Sequence, residues 1–408
     1  MGRILFLSDF EQGHLFPTFG LASSLEARGH EVTYAGIADI EPFVTRQGFA
    51  FRRIFEETYP EGATSRLRRE AQAEAVTGEE SPARVFSDHL EPLIEGSVDG
   101  LMAEVEPDLV VSSLFLALET LIFLYRYPVP MAVFTPCLRE AEMTPALLAV
   151  EEIFNLDHIS FQILELAMSG GHEVRSLEQL AQPLAAVPEI LACPREFDLP
   201  DVVRSGEVHY VEPCIRRAGS SEGAVVLDGM PAGKELVLVS LGSQTEVYRD
   251  LARHLYAKLF DLARATRDEP WHFAVSLGPD FELAEFGEMP ENVTVSRWLP
   301  QLDLLPKAAL MITHGGLGTV KECIFHGVPM VVTPMSRDQP ENAERVAHHL
   351  LGVALDPATA GVDDLVAAVR RAASSPEIRA AVEAMSVVFR AAEAEQRGAK
   401  VIEGLLRG

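Results

Sequence analysis

The chain is short of cysteine, of tryptophan, of positive charge and of long apolar runs. Four cysteines (Cys137, Cys193, Cys214 and Cys323) stand in no CxxC or metal-ligand spacing. Reduced, packed thiols are therefore expected, not a disulfide frame or a zinc site. Lys and Arg number 34 against 61 Asp and Glu, a formal net charge of −27. Such a surface repels nucleic acid and anionic membrane, so neither is expected as a partner. No window nears the apolar length of a membrane span, and stable membrane insertion is not expected. The opening residues 1–10 are apolar only briefly and lead into an acidic turn, which reads as a first buried strand and not a leader. A cytoplasmic protein is the expectation.

What is there suffices for full cores: 408 residues, 48% of them hydrophobic, point to two or more domains. Residues 3–8 read as a strand, 9–14 as the loop at its carboxyl end, 17–28 as an amphipathic helix and 31–35 as the next strand. That βαβ opening predicts a parallel sheet. Residues 56–82 are polar and aperiodic, which suggests a long mobile surface excursion, with Arg66, Arg68 and Arg69 as solvated charges. Strand character returns at 107–113 and 129–135. Residues 144–170 are helical and unusually apolar, with Leu147, Leu148, Ile153, Phe154, Phe161, Ile163, Leu164 and Met168 read first as a packed core face. A connector rich in Pro, Gly and Ser follows, and a second α/β unit begins near Glu235. The expected division is 1–205, a connector 206–233, a second domain 234–385 and a terminal helix 386–408.

The stretch 298–343 reads WLPQLDLLPKAALMITHGGLGTVKECIFHGVPMVVTPMSRDQPENA. It holds two short apolar strands with a helix between them that opens at His-Gly-Gly-Leu-Gly-Thr and closes at Gly327. A strand feeding a Gly-rich turn and a helix is an anion site, because backbone N–H groups and the helix dipole face the ligand. His314, Gly316, Gly318 and Thr319 are placed for a phosphate, and Glu322 lies one turn further along. The glycines alone match neither the dinucleotide fingerprint nor the P-loop, and a tight packing turn would explain them as well.

The turn does not stand alone. Trp298-Leu-Pro-Gln301 before it, and Asp338-Gln339 with Asn342 after it, complete a pattern that resembles the donor-site signature of the nucleotide-sugar glycosyltransferase superfamily. That superfamily includes the plant and mammalian UDP-glycosyltransferases and the bacterial macrolide and antibiotic glycosyltransferases. The stretch GHLFPTFGLASSLEARGHEVTYA, residues 13–35, resembles the superfamily's N-terminal motif. The resemblance implies an α/β fold of the GT-B kind, two doubly wound Rossmann-like domains facing each other across a cleft. The first would bind the acceptor, partly through residues 144–170, the second would bind the nucleotide sugar, and the final helix would cross back onto the first.

It also implies roles. Trp298 would stack on the base, with Leu299 and Gln301 along the nucleoside and Glu322 on the ribose hydroxyls. His314, Gly316, Gly318, Thr319 and Ser243 would meet the diphosphate, and Asp338 and Gln339 the donor sugar. The co-substrate would be a UDP- or dTDP-sugar, with no separate cofactor, and the acceptor a small lipophilic molecule, on a monomer or homodimer. No Asp-x-Asp pair occurs in the chain, so no metal is expected on the diphosphate and protein dipoles must meet its charge. His14 in the first loop is the candidate general base; His30 is read as structural. In many relatives an Asp after the strand matching 107–113 orients this His, and here that place is Ser113. Ser113, Ser112, Asp9, Glu119 or water stand as candidate partners. A silent homologue that activates a partner, and a nucleotide-sugar epimerase, are the competing functions.

Overall fold

The computed structural model describes residues 1–67, 87–215 and 230–407. Arg68, Arg69, most of the 56–82 stretch and residues 216–229 of the expected connector lie outside the described residues. The described chain divides into two compact units. The first comprises Met1–Ala192, Val202–Cys214 and Gln396–Gly408; the second comprises Cys193–Asp201 and Ile215–Glu395.

Each unit is built on an all-parallel sheet. The first sheet joins β1 (Arg3–Leu7), β2 (Glu31–Gly36), β3 (Ala50–Arg53), β4 (Leu109–Ser113), β5 (Met131–Thr135), β6 (Glu189–Leu191) and β7 (Val208–Tyr210) in the order β3-β2-β1-β4-β5-β6-β7. Strand β7 falls within the stretch read as connector. The second sheet joins β8 (Glu235–Ser240), β9 (Trp271–Ser276), β10 (Val293–Ser296), β11 (Ala308–Thr313), β12 (Met330–Val332) and β13 (Gly352–Ala354) in the order β10-β9-β8-β11-β12-β13. These are doubly wound sheets. Strand order reverses between β1 and β4 in one and between β8 and β11 in the other, and ligands of such folds bind beyond the carboxyl ends of the strands at that reversal.

The alternation of side chains along the first sheet accounts for its two apolar layers. Ile4 and Phe6 of β1, with Leu109 and Val111 of β4, enter one buried cluster. Leu5, Leu7 and Val110 enter the other, on the opposite face. In the second unit Val237, Val239, Phe273, Val275, Leu310 and Ile312 share one buried cluster.

Several expectations need correcting. The first helix runs Gln12–Ala27, so Pro17 lies inside it and His14 stands in its first turn, not in a loop. Reading Pro as a first-turn residue placed the start five residues late; the actual cost is one lost bond to the Gly13 carbonyl. Residues 56–67 are anchored: Tyr59, Ala63 and Leu67 are buried together, and Asp39 accepts hydrogen bonds from the backbone N–H of Gly62 and Thr64. Residues 144–170 form two helices, Pro145–Asn155 and Asp157–Ser169. Ile153 and Ile163 face the core, but Leu147, Phe154, Phe161 and Met168 are exposed.

The helix Pro376–Glu395 runs past the expected boundary at 385, and the chain passes to the first unit after it. The last helix, Arg397–Leu405, packs on that unit through Ala399 and Ile402. Arg28 forks onto Glu403 at 2.8 and 2.6 Å, with His30 Nε2 3.4 Å from the same carboxylate. Buried Glu212 accepts the Gly398 N–H at 2.8 Å, capping the helix start. His30 thus serves the docking of the last helix. No helix among the described residues is long and apolar enough to cross a membrane.

Candidate active site

In the first unit the residues at the strand-order reversal are Asp9 and His14 after β1, and Ser113 and Phe115 at and beyond the end of β4. Strand β1 lies beside β4 with Leu7 opposite Ser112, so the two chain exits are neighbours. Asp9 Oδ1 accepts the Glu11 backbone N–H at 2.9 Å and stands 2.9 Å from His14 Nδ1. Ser113 donates its Oγ–H to Asp9 Oδ2 at 2.6 Å, while its Oγ accepts the Phe115 N–H at 3.3 Å. The Phe115 ring lies flat on the imidazole, centroids 3.8 Å apart and planes 10° from parallel.

Burial alone would raise the Asp9 carboxyl. The His14 charge and the hydrogen bonds from His14, Ser113 and Glu11 outweigh it and hold Asp9 below its ordinary value. With Nδ1 turned to a carboxylate, Nε2 is the nitrogen left to take a proton. The other candidate partners are engaged elsewhere: Ser112 pairs with Thr120 at 2.6 Å, and Glu119 with His89 Nε2 at 2.6 Å. Ser113 reaches His14 only through Asp9.

In the second unit the reversal falls between Gly242-Ser243 after β8 and the 314–319 turn after β11. Gly315 has φ +87° and its N–H is held by Thr313 Oγ1 at 3.2 Å. Gly316 caps the helix Leu317–His326 and, having no side chain, gives its first N–H groups no cap bond. They remain directed at whatever lies beyond the strand ends. The His314 ring sits between two glycines: a Cβ on Gly242 would fall 2.6 Å from it, and one on Gly316 2.7 Å. Burial lowers the His314 pKa to about 4, against a smaller opposing effect of a hydrogen bond with the Ser240 backbone. It is neutral at pH 7, and its one N–H is the donor to the Ser240 backbone. Around Gly318 a Cβ would meet nothing within 4 Å. Exposed Ser243 follows Gly242.

The residues that the resemblance assigns to the nucleoside gather beside this turn. Gln301 opens the short helix Gln301–Leu304, and its Nε2 donates to Glu322 Oε2 at 2.6 Å and to Thr319 Oγ1 at 3.3 Å. Trp298 leaves 56% of its surface exposed whereas Leu299 is buried, so of the pair only the indole presents a face. Asp338 sits at the start of the helix Gln339–His348 without a side-chain cap bond. Its Oδ2 instead accepts from Asn342 Nδ2 at 2.9 Å, and the same Nδ2 donates to the Gly315 carbonyl at 2.9 Å. Fully buried Asn342 therefore ties Asp338 to the Gly-rich turn. Gln339 is buried, and its Oε1 accepts from the N–H of Met335 and Ser336 at 2.8 and 3.1 Å. Its carbonyl shapes the 335–336 loop and its amide also bonds the Tyr248 hydroxyl, which leaves one amide N–H as the part able to meet a ligand.

Sequence reasoning gave no role to Phe115 or to the Asn342 bridge. Phe115 carried no signal, whereas Asn342, one turn past Asp338, was legible as an i, i+4 partner.

Comparison with known proteins agrees with this geometry. A family model described as UDP-glucoronosyl and UDP-glucosyl transferase matches residues 231–392. Demethyllactenocin mycarosyltransferase of Streptomyces fradiae is 30% identical over 423 residues, covering 100% of this chain and 87% of the relative. Among solved structures, the glycotransferase of kitacinnamycin superposes with a TM-score of 0.76 at 27% identity, covering 99% of each chain. The glycosyltransferase VinC, solved in complex with dTDP, has a TM-score of 0.67 at 20% identity, covering 100% of each chain, a likeness of fold alone. With two Rossmann-like units of the GT-B fold and a relative 30% identical along the whole chain, the chain belongs to the UDP-glycosyltransferase family, among its bacterial natural-product members, and is a glycosyltransferase.

Proposed function

We propose that the protein moves a sugar from a UDP- or dTDP-sugar to a hydroxyl of a small lipophilic natural product, with inversion and without a metal. His14 Nε2 takes the acceptor proton as the hydroxyl oxygen attacks the anomeric carbon. The bond from that carbon to the diphosphate breaks, and the nucleoside diphosphate leaves with the electron pair. Backbone N–H groups at the start of Leu317–His326 and the Thr319 and Ser243 hydroxyls receive its charge, with the His314 ring packed against Gly316 beside them. Trp298 stacks on the base, Leu299 backs it, and Gln301 and Glu322 hold the nucleoside. Asp338 and the remaining amide N–H of Gln339 meet the donor sugar.

The observation that supports this most is the Gln301–Glu322–Thr319 cluster beside an uncapped helix start. Side chains suited to a nucleoside stand there beside N–H groups suited to a diphosphate. The exposed Phe115, Leu147, Phe154, Phe161 and Met168 of the first unit suit a lipophilic acceptor. A nucleotide-sugar supply and four free cysteines fit a cytoplasmic setting.

The test is His14→Ala with an aliphatic alcohol and a phenol side by side. General-base catalysis is typically worth about 10²–10⁴-fold, so kcat on the alcohol should fall by that order while donor binding holds. A phenol ionises more readily and should suffer less. Full turnover of His14→Ala on the aliphatic alcohol would remove His14 from the role of base.

A further inference from the structure

The geometry points to Asp9 as the positioning residue of the base, a carboxylate delivered from the end of β1 in place of one at position 113 on β4. This assignment depends on His14 being the base. Its contact is direct: Oδ1 lies 2.9 Å from Nδ1, and the carboxylate is itself held from both oxygens, by the Glu11 N–H and the Ser113 hydroxyl. The Asp9 side chain is 8% exposed, so the pair works with little screening from water. A carboxylate there fixes the tautomer with the proton on Nδ1, turns Nε2 outward, and stabilises the imidazolium formed when the acceptor proton arrives. Phe115, flat on the ring, blocks one face and leaves the ring only in-plane choices.

The exchange of strands is permitted by the fold. β1 and β4 are adjacent and parallel, with Leu7 opposite Ser112, so residues leaving either end reach the same imidazole edge. Ser113 then does what a small hydroxyl can do from β4: it anchors Asp9 and caps the turn Leu114–Leu116. A carboxylate at both places would set two like charges on one nitrogen, so a Ser opposite an Asp is the consistent pair. The charged group in contact with His14 is Asp9, with Glu11 in the same turn.

The experiment compares the full-length parent with Asp9→Asn, with the exchange variant D9S/S113D and with His14→Ala. It uses an aliphatic alcohol acceptor and reads kcat, donor KM and the pH profile of kcat/KM. Asp9→Asn is expected to lose at least about tenfold in kcat with donor KM unchanged, within the range of general-base effects. Its rising limb should move to lower pH, because removing the carboxylate disfavours the imidazolium. The exchange variant should recover a substantial part of kcat and return the limb towards the parent's position. An Asp9→Asn enzyme with parental kcat and limb, alongside an inactive His14→Ala, would overturn the assignment and leave the base in place. So would a folded exchange variant no better than Asp9→Asn, which would reduce Asp9 to a brace for the Glu11 turn. A fully active His14→Ala would instead strike at the base itself.

Discussion

Gly316 and Gly318 are two residues apart in one turn, yet alanine at each should act in opposite directions on stability. Gly316 has φ −59° and ψ 134°, which any residue tolerates, so the cost of a Cβ there is steric. That Cβ would fall 2.7 Å from His314 Nε2, and the ring already fills the place a Cβ on Gly242 would take. Gly318 is helical and open, with nothing within 4 Å of its would-be Cβ. Gly318→Ala should therefore stabilise the unit by about 0.4–1 kcal/mol through loss of chain freedom when unfolded. In a domain of this size that is a rise of roughly 1–4 °C in Tm.

In the proposed donor site the same methyl would stand in the open space through which phosphate oxygens would reach the helix N–H groups. Losing one charge-assisted hydrogen bond costs about 1.5–3 kcal/mol, roughly ten- to a hundredfold in affinity. The assay is thermal unfolding together with titration calorimetry of UDP and dTDP. Gly318→Ala should melt higher and bind worse, whereas Gly316→Ala should melt lower and bind worse. A Gly318→Ala protein that melts higher and binds both nucleotides like the parent would show that no phosphate passes that residue.

Glu322→Ala should raise donor KM by roughly ten- to a hundredfold, from loss of hydrogen bonds to an ionised acceptor, with Tm nearly unchanged. Unaltered donor affinity by calorimetry would remove Glu322 from the ribose site. The hydrogen bonds from Arg28 and, less, from His30 hold Glu403 down from 4.5 to about 2. A depressed carboxylate gives stability that is fully present above its unfolded value and is lost as pH falls through its folded one. The Tm gap between the parent and Glu403→Gln should therefore be open at pH 7 and narrow as pH drops below about 4.5. A gap independent of pH would mean that the carboxylate charge does not hold the last helix.

The second unit was more legible than the first, for a physical reason. Its site is backbone: a strand end, a Gly-rich turn and a helix start within a few residues of one another, so composition and spacing carry the geometry. Gln301, Thr319 and Glu322 are close in sequence, and Gln301 hydrogen-bonds to both of the others. The first unit's cluster unites residues 9, 14, 113 and 115 from two strands over a hundred residues apart. Spacing says nothing about such a meeting, so five partners for His14 stood level until the β1–β4 register brought Asp9 and Ser113 together. Leu147, Phe154, Phe161 and Met168 were misread for a related cause. These helices carry more apolar residues than one face can bury, and only the packing of Ile153 and Ile163 reveals which are left over. Gln339 is the opposite case: its place beside Asp338 was legible, but not the use of its carbonyl by the loop.

The central claim is inverting transfer in which protein dipoles, not a metal, carry the leaving diphosphate and His14 drives the attack. It is tested most directly by the anomeric configuration of the glycoside formed from an α-linked donor in the presence of EDTA, read by proton NMR. A β-linked product, formed at the rate seen without chelator, is the predicted result. An α-linked product, or turnover that stops on chelation and returns with Mg²⁺ or Mn²⁺, would contradict it.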